Sequence, residues 1–347
     1  LNHYIMNVVE LTRALVDIES VTDNEKRVGD FLFDYLSALA RRYPGSAGNV
    51  ERMPVEPERF NVLAYWGDPI VTLSTHMDTV PPIFASKEDQ KCIWGRGACD
   101  AKGIIAAMIA AAERLLDTGA RNFALLFVVG EERNGIGALA AATAPRGSRY
   151  LINGEPTENK IAIGAKGALR FELTARGKLA HSAYPELGHS AIESLLDVLQ
   201  TIRAIPLPHH ELLGPCTLNI GTIAGGRAAN VIADYAQSEI MFRLVSDAAP
   251  LRSAVLQAAN GRVEVREVVH TPAQRLEPFA DLPTTVVSFT TDIPSFADSW
   301  GKPFLIGPGT IHLAHTSEER IEKQHLSDAV EIYAKMVKTL IATGGKN

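Results

Sequence analysis

The chain has 347 residues, 46% of them hydrophobic and 21% charged, which is longer than one core usually supports and ordinary in balance for a folded globular protein. Its formal net charge of -6, from 34 basic and 40 acidic side chains, argues against nucleic acid and anionic membrane surfaces as partners. The longest wholly apolar run, Ile104 to Ala112, falls far short of the roughly 18–20 residues that cross a bilayer, so no membrane segment is expected.

In chain order, Thr22 to Glu25 has the Thr-x-x-Glu spacing of a capping box. Val28, Phe31, Leu32, Tyr35, Leu36 and Leu39 then fall on one face, predicting an amphipathic helix. Phe60 to Trp66 and Ile70 to His76 read as strands joined by a turn at Gly67-Asp68-Pro69. A polar excursion from Thr79 to Gly97 leads into an alanine-rich helix, Ala101 to Thr118, stopped by Gly119. The near-continuous apolar strand Phe123 to Val129 is of the kind covered on both faces. A short helix, Ile136 to Ala142, and a short strand, Tyr150 to Asn153, complete an α/β pattern, in which ligands belong at the carboxyl ends of strands.

The rhythm changes near Lys166. Strand (Ala168–Ala175), helix (Ser190–Ile205), strand (Cys216–Ile223), strand (Asp234–Val245), helix (Ala249–Ala259) and strand (Arg262–Val269) follow the βαββαβ order of a ferredoxin-like split arrangement. The α/β pattern then resumes with Val286–Phe289, Phe304–Ile306 and a helix from about His325. The fold class is therefore α/β, with a mixed, mostly parallel sheet flanked by helices over residues 1–165 and 273–347, and a ferredoxin-like domain inserted at 166–272.

Chemistry gathers where strands meet turns. Alternate residues of an extended chain face one side, so in STHMDTVPP, Ser74 to Pro82, His76 and Asp78 can enter one pocket. Asp100, Glu131, Glu132, Glu155 and His315 each sit in a turn marked by Gly or Pro. Singly, such residues are usually solvated or structural; together they supply the donors of a hydrolytic metal centre. Neutral histidines and carboxylates suit zinc, with cobalt or manganese compatible by ligand type. Asp100, Glu132 and Glu155 with one deprotonated water would neutralise two divalent cations, and uncompensated buried charge is costly. Cys92, Cys99 and Cys216 lack the spacing of a disulfide framework or thiolate zinc site and, with no secretory signal, point to a cytoplasmic setting.

STHMDTVPP, WGRGACDAKG (Trp94 to Gly103), GEERNGIGA (Gly130 to Ala138), NGEPT (Asn153 to Thr157) and GPGTIHLAH (Gly307 to His315) together resemble the M20 family of di-zinc amidohydrolases and peptidases, in order and over essentially the whole chain. The resemblance implies two zinc ions, His76 and Glu155 on one, Glu132 and His315 on the other, and Asp100 bridging. It implies that Asp78 orients His76, that Glu131 is general base and then general acid, and that the Asp100–Ala101 peptide is cis. His181, in GKLAHSAYP, matches a family histidine that stabilises the oxyanion, often across a dimer interface, so a homodimer through the inserted lid domain is expected. Arg243 matches a residue gripping a substrate carboxylate and Asn230 a substrate contact, and the Gly307–Gly309 turn would let backbone N–H groups approach substrate.

Cys99 alternates away from Asp100, and the register GPG-x-x-x-x-AH prefers His315 to His312 as ligand, placing Glu319 where the family carries a glutamate. GPGTIHLAHTSEE resembles acetylornithine deacetylase and its relatives, so the expected substrate is a small N-acyl amino acid. The alternatives are succinyl-diaminopimelate desuccinylase or a carboxypeptidase or dipeptidase and, from another class, a non-catalytic homologue that only binds in the cleft.

Overall fold

In the computed structural model, which describes residues 6–344, the chain lays down α1 (Val8–Val16), α2 (Lys26–Arg42), β1 (Gly48–Glu56), β2 (Arg59–Trp66), β3 (Val71–His76), α3 (Lys102–Asp117), β4 (Phe123–Val128), α4 (Ile136–Ala142) and β5 (Tyr150–Asn153). Next come β6 (Gly167–Arg176), α5 (Ala191–Arg203), β7 (Thr217–Gly225), β8 (Tyr235–Leu244), α6 (Ala249–Ala259) and β9 (Val263–Thr271). The chain ends with β10 (Lys302–Leu305) and α7 (Lys323–Gly344). Two compact units result, one of residues 6–163, 276–285 and 291–344, the other of Gly164–Arg275 and Val286–Thr290.

The first unit is built on a six-stranded sheet in the spatial order β1-β2-β4-β3-β5-β10. The β1–β2 and β2–β4 pairs are antiparallel, while β4, β3, β5 and β10 run parallel. Phe123, Leu125 and Phe127 of β4 point into a core with α1, α2, α3 and α7, whereas Ala124, Leu126 and Val128 meet α4, Phe296 and Trp300. Burial of both faces explains the unbroken apolar run of this strand. The parallel register pairs His76 with Val128 and Ser74 with Asn153, so the segments after β3, β4 and β5 leave the sheet at one edge. Among the described residues no helix is long and apolar enough to cross a membrane.

In the second unit the strands stand in the order β7-β8-β6-β9, all antiparallel, and Leu169, Phe171, Leu173 and Ala175 of β6 pack in one core with residues of α5 and α6. The βαββαβ order read from the sequence is thus the order found.

Two expectations are corrected. Thr22–Glu25 is not a capping box: Glu25 is itself the N-cap of α2, with helical backbone angles and no side-chain cap. The motif's side chains bond to other elements, and such tertiary contacts win over a local cap worth about 1 kcal/mol. The strand expected at Val286–Phe289 runs Thr284–Val287, and Val286–Thr290 groups with the second unit, where Val287 accepts the N–H of Lys166 at 3.1 Å.

Candidate active site

His76 closes β3 with its ring buried; Nε2 lies 3.0 Å from Asp100 Oδ1, while Nδ1 lies 2.9 Å from the main-chain oxygen of Asp78 and 3.5 Å from its carboxylate. The tautomer is therefore held chiefly by a carbonyl. The buried carboxylate of Asp78 reaches elsewhere. It accepts the N–H of Glu131 at 3.1 Å, the N–H of Glu132 at 3.2 Å and the hydroxyl of Thr22 at 2.8 Å. Burial alone would raise the pKa of Asp78, but the His76 ring, Thr22 and the backbone donors outweigh it and hold the group below its ordinary value.

Asp100 is presented by the loop before α3, and its peptide bond to Ala101 is cis, as the family resemblance implies. That loop is gripped by Glu319, fully buried, whose Oε1 accepts the N–H groups of Gly97 at 2.9 Å and of Cys99 and Asp100 at 3.2 Å, while Oε2 pairs with buried Arg96. His315, half-exposed and with a left-handed backbone (φ 63°), places Nε2 3.0 Å from Glu132 and 3.4 Å from Asp100. Hydrogen bonds to Asp100, then Glu132, raise its pKa to about 10. Burial opposes protonation of His76, yet its bonds to Asp100 and Asp78 also raise it. Asp100 is pushed below its ordinary range: burial acts upward, and the contacts from His315 and His76 prevail.

Donor atoms of His76, Asp100 and Glu132 all lie within 4.8 Å of one another, a geometry that could hold a metal ion. Glu155, just beyond β5, is buried, and its Oε1 has no hydrogen-bond partner among the described residues. Burial, then the other nearby carboxylates, push Glu131 and Glu155 well above the usual carboxylate range, with His76 opposing. An orphaned buried carboxylate oxygen beside four further acidic groups and two histidines is a donor set short of positive charge, and divalent cations fit that need.

Cys99 turns away from this cluster, its Sγ 3.4 Å from the carbonyl of Thr310, and His312 is exposed. Gly309 has φ 84°, and a Cβ there would stand 2.5 Å from Cys99 Sγ, so only glycine fits the turn. His181, Asn230 and Arg243 lie on the second unit. The Nδ1 of His181 accepts the N–H of Ala183 at 3.1 Å, and the carbonyl of Asn230 accepts the N–H of Ser182 at 3.0 Å, so these two segments are tied together. Arg243 is half-buried on β8, opposite Ala168 and Thr217.

The site contains residues that motif reading passed over. Asp292 is buried with Oδ2 unpartnered among the described residues, and burial raises its pKa to about 7. Its charge is felt by both Glu131 and Glu155. Its only sequence signal is an acid before a proline-containing turn, too common to single out.

The description Peptidase family M20/M25/M40 matches residues 72–339. A peptidase M20 domain-containing protein of Schizosaccharomyces pombe is 39% identical over 343 residues, spanning 95% of this chain and 84% of its own length. A probable carboxypeptidase of Ajellomyces dermatitidis is 37% identical across 97% of this chain and 88% of its own. A tripeptidase from Staphylococcus aureus has a similar fold, with a TM-score of 0.79 at 19% identity over 96% of this chain and 98% of that one. The dipeptidase Dug1p of Saccharomyces cerevisiae does too, with a TM-score of 0.72 at 14% identity over 98% and 96%.

Proposed function

Because the chain belongs to peptidase family M20/M25/M40, we propose that it hydrolyses an amide bond next to a free carboxylate in a small substrate, with two zinc-type ions held by His76, Asp100, Glu132, Glu155 and His315. When bound, the ions would supply Lewis-acid activation of a water and of the scissile carbonyl. The observation that carries the reading is Glu131. It is an acid with a raised pKa, next in sequence to Glu132, and its backbone N–H is held by Asp78. A carboxyl group whose burial favours its protonated form can take a proton from water and return it to the leaving nitrogen.

Asp78 keeps Glu131 in place through the backbone, and the carbonyl of Asp78 keeps the ring of His76 oriented. His181 as oxyanion donor, Arg243 as the partner of the substrate carboxylate and Asn230 as a further substrate contact rest on the motif resemblance, as does a homodimer formed through the second unit. An N-acetyl amino acid, as acetylornithine deacetylase takes, is one substrate class. The C-terminal residue of a short peptide is the other, and relatives named probable carboxypeptidases favour it.

A hydrolysis panel decides between them: N-acetyl-ornithine, -citrulline, -lysine and -methionine, succinyl-diaminopimelate, and dipeptides and tripeptides with free or amidated C-termini. Turnover of free but not amidated peptides supports the carboxypeptidase reading, and turnover of acetyl amino acids alone supports the deacylase. No turnover of any member by zinc-, cobalt- and manganese-loaded protein would overturn the proposal.

A further inference from the structure

The Thr22–Glu25 motif has the spacing of a helix cap and caps nothing, yet three of its four side chains converge on one place. We propose that it is a positioning segment for the turn that presents Glu131 and Glu132, acting through Asp78 and Arg59 and never touching substrate; the proposal rests on the roles given to those two glutamates above. The segment is docked beside Asp78 by its backbone: Thr79 donates to the carbonyl of Ser20 at 2.9 Å, and Thr22 donates to the carbonyl of Thr79 at 3.2 Å. From there the Thr22 hydroxyl donates at 2.8 Å to Asp78 Oδ2, the oxygen that also accepts the N–H of Glu132 at 3.2 Å, while Oδ1 accepts the N–H of Glu131 at 3.1 Å.

The opposite flank is held by Glu25. It is buried and grips buried Arg59 with both oxygens, Nε at 2.9 Å and Nη2 at 2.6 Å. Arg59 Nη2 lies 3.0 Å from where a Cβ on Gly130 would stand, so the guanidinium packs against the residue that opens the turn. Asp23, between them, pairs with Arg59 at 3.0 Å and with Arg133, the residue after Glu132. A fork-to-fork contact between guanidinium and carboxylate fixes angle as well as distance.

A general base must meet its proton within hydrogen-bond reach, and small displacements cost much of the rate. With Asp78 fully buried, no solvent replaces a lost donor, so removing the Thr22 hydroxyl lets the carboxylate turn and carries both glutamate N–H groups with it. Groups that orient a site from behind its ligands typically change activity ten- to a hundredfold.

The test uses the full chain and the pair Thr22→Val, which removes the hydroxyl at nearly constant volume, and Thr22→Ser, which keeps it. Hydrogen exchange is read on peptides spanning Val129–Gly135, a measurement that needs neither substrate nor metal and so stands even if the catalytic reading fails. Exchange there is expected to rise about tenfold in Thr22→Val, to stay near wild type in Thr22→Ser, and to remain unchanged in peptides far from the turn. Arg59→Lys, which breaks the forked contact from the other flank, is expected to raise exchange in the same peptides. On a substrate identified by the panel, Thr22→Val should lower kcat about tenfold with KM within about twofold, and Thr22→Ser should restore it. Unchanged exchange across 129–135 in Thr22→Val, an unchanged kcat, or equal impairment of the Val and Ser variants would each overturn the proposal.

Discussion

Replacing Glu319 by alanine tests how firmly the loop bearing Asp100 is held. The substitution strands the N–H groups of Gly97, Cys99 and Asp100 and leaves Arg96, 3% exposed, without its carboxylate. Removing one partner of a buried ion pair costs about 3–5 kcal/mol, because the other charge remains buried and uncompensated. Burial, then the charge of Asp100, raise the pKa of Glu319, so its ionisation is partly opposed in the fold, and the lower end, about 3 kcal/mol, is the appropriate figure. For a unit of this size that is a fall in Tm of about 6–12 °C. Thermal and urea unfolding measure it, and elemental analysis reads metal content, which should fall as Asp100 loses its setting. The double variant Arg96→Ala/Glu319→Ala removes the stranded cation and should be less destabilised than the two single changes added together. A Tm shift below about 2 °C for Glu319→Ala, with wild-type metal content, would refute the reasoning.

Three further outcomes are expected. Glu131→Gln should lower kcat by about a thousandfold while metal content stays near that of wild type, a comparison of steady-state kinetics with elemental analysis. In metal-free protein, Asp292→Asn isolates the titration of a buried acid whose pKa burial lifts to about 7, with His76 opposing and Asp78 and Glu132 adding to the rise. Since the folded state binds this proton more tightly, the stabilising contribution is fully present below about pH 4 and is lost as pH rises through 7. Wild type minus variant stability, from urea titrations, should therefore fall across that window by up to about 4 kcal/mol, and parallel profiles would contradict the assignment. Chelation should lower Tm by leaving the buried carboxylates crowded, and readdition of zinc should restore it with close to two ions per chain; an unchanged Tm would remove the cluster as a metal centre.

Much of this protein was legible because its signals are local. The helix predicted at Ile136 to Ala142 and the strand at Tyr150 to Asn153 are found at those bounds, and the helix at Ala249 to Ala259 likewise. Side-chain periodicity records which faces are buried, and turn residues record where elements stop. His76, Glu131, Glu132 and Glu155 could also be named, since they sit at the ends of recognisable strands, whereas Asp292 could not.

Partnership between distant segments lay outside that record. Nothing at Gly67-Asp68-Pro69 announces that β4 lies between β2 and β3, because strand pairing is settled by contacts far apart in sequence. Thr22 and Glu25 carry the letters of a cap, and only the approach of Asp78 and Arg59 turns them to another use. Glu319 could be noted by register alone, but its grip on three N–H groups more than two hundred residues earlier depends on the folded loop. The sequence by itself determined the elements and the chemical types of the site. Which charges share one cluster, and hence the direction of their pKa shifts and their need for cations, was decided by the tertiary structure, because electrostatic energy depends on distance and burial.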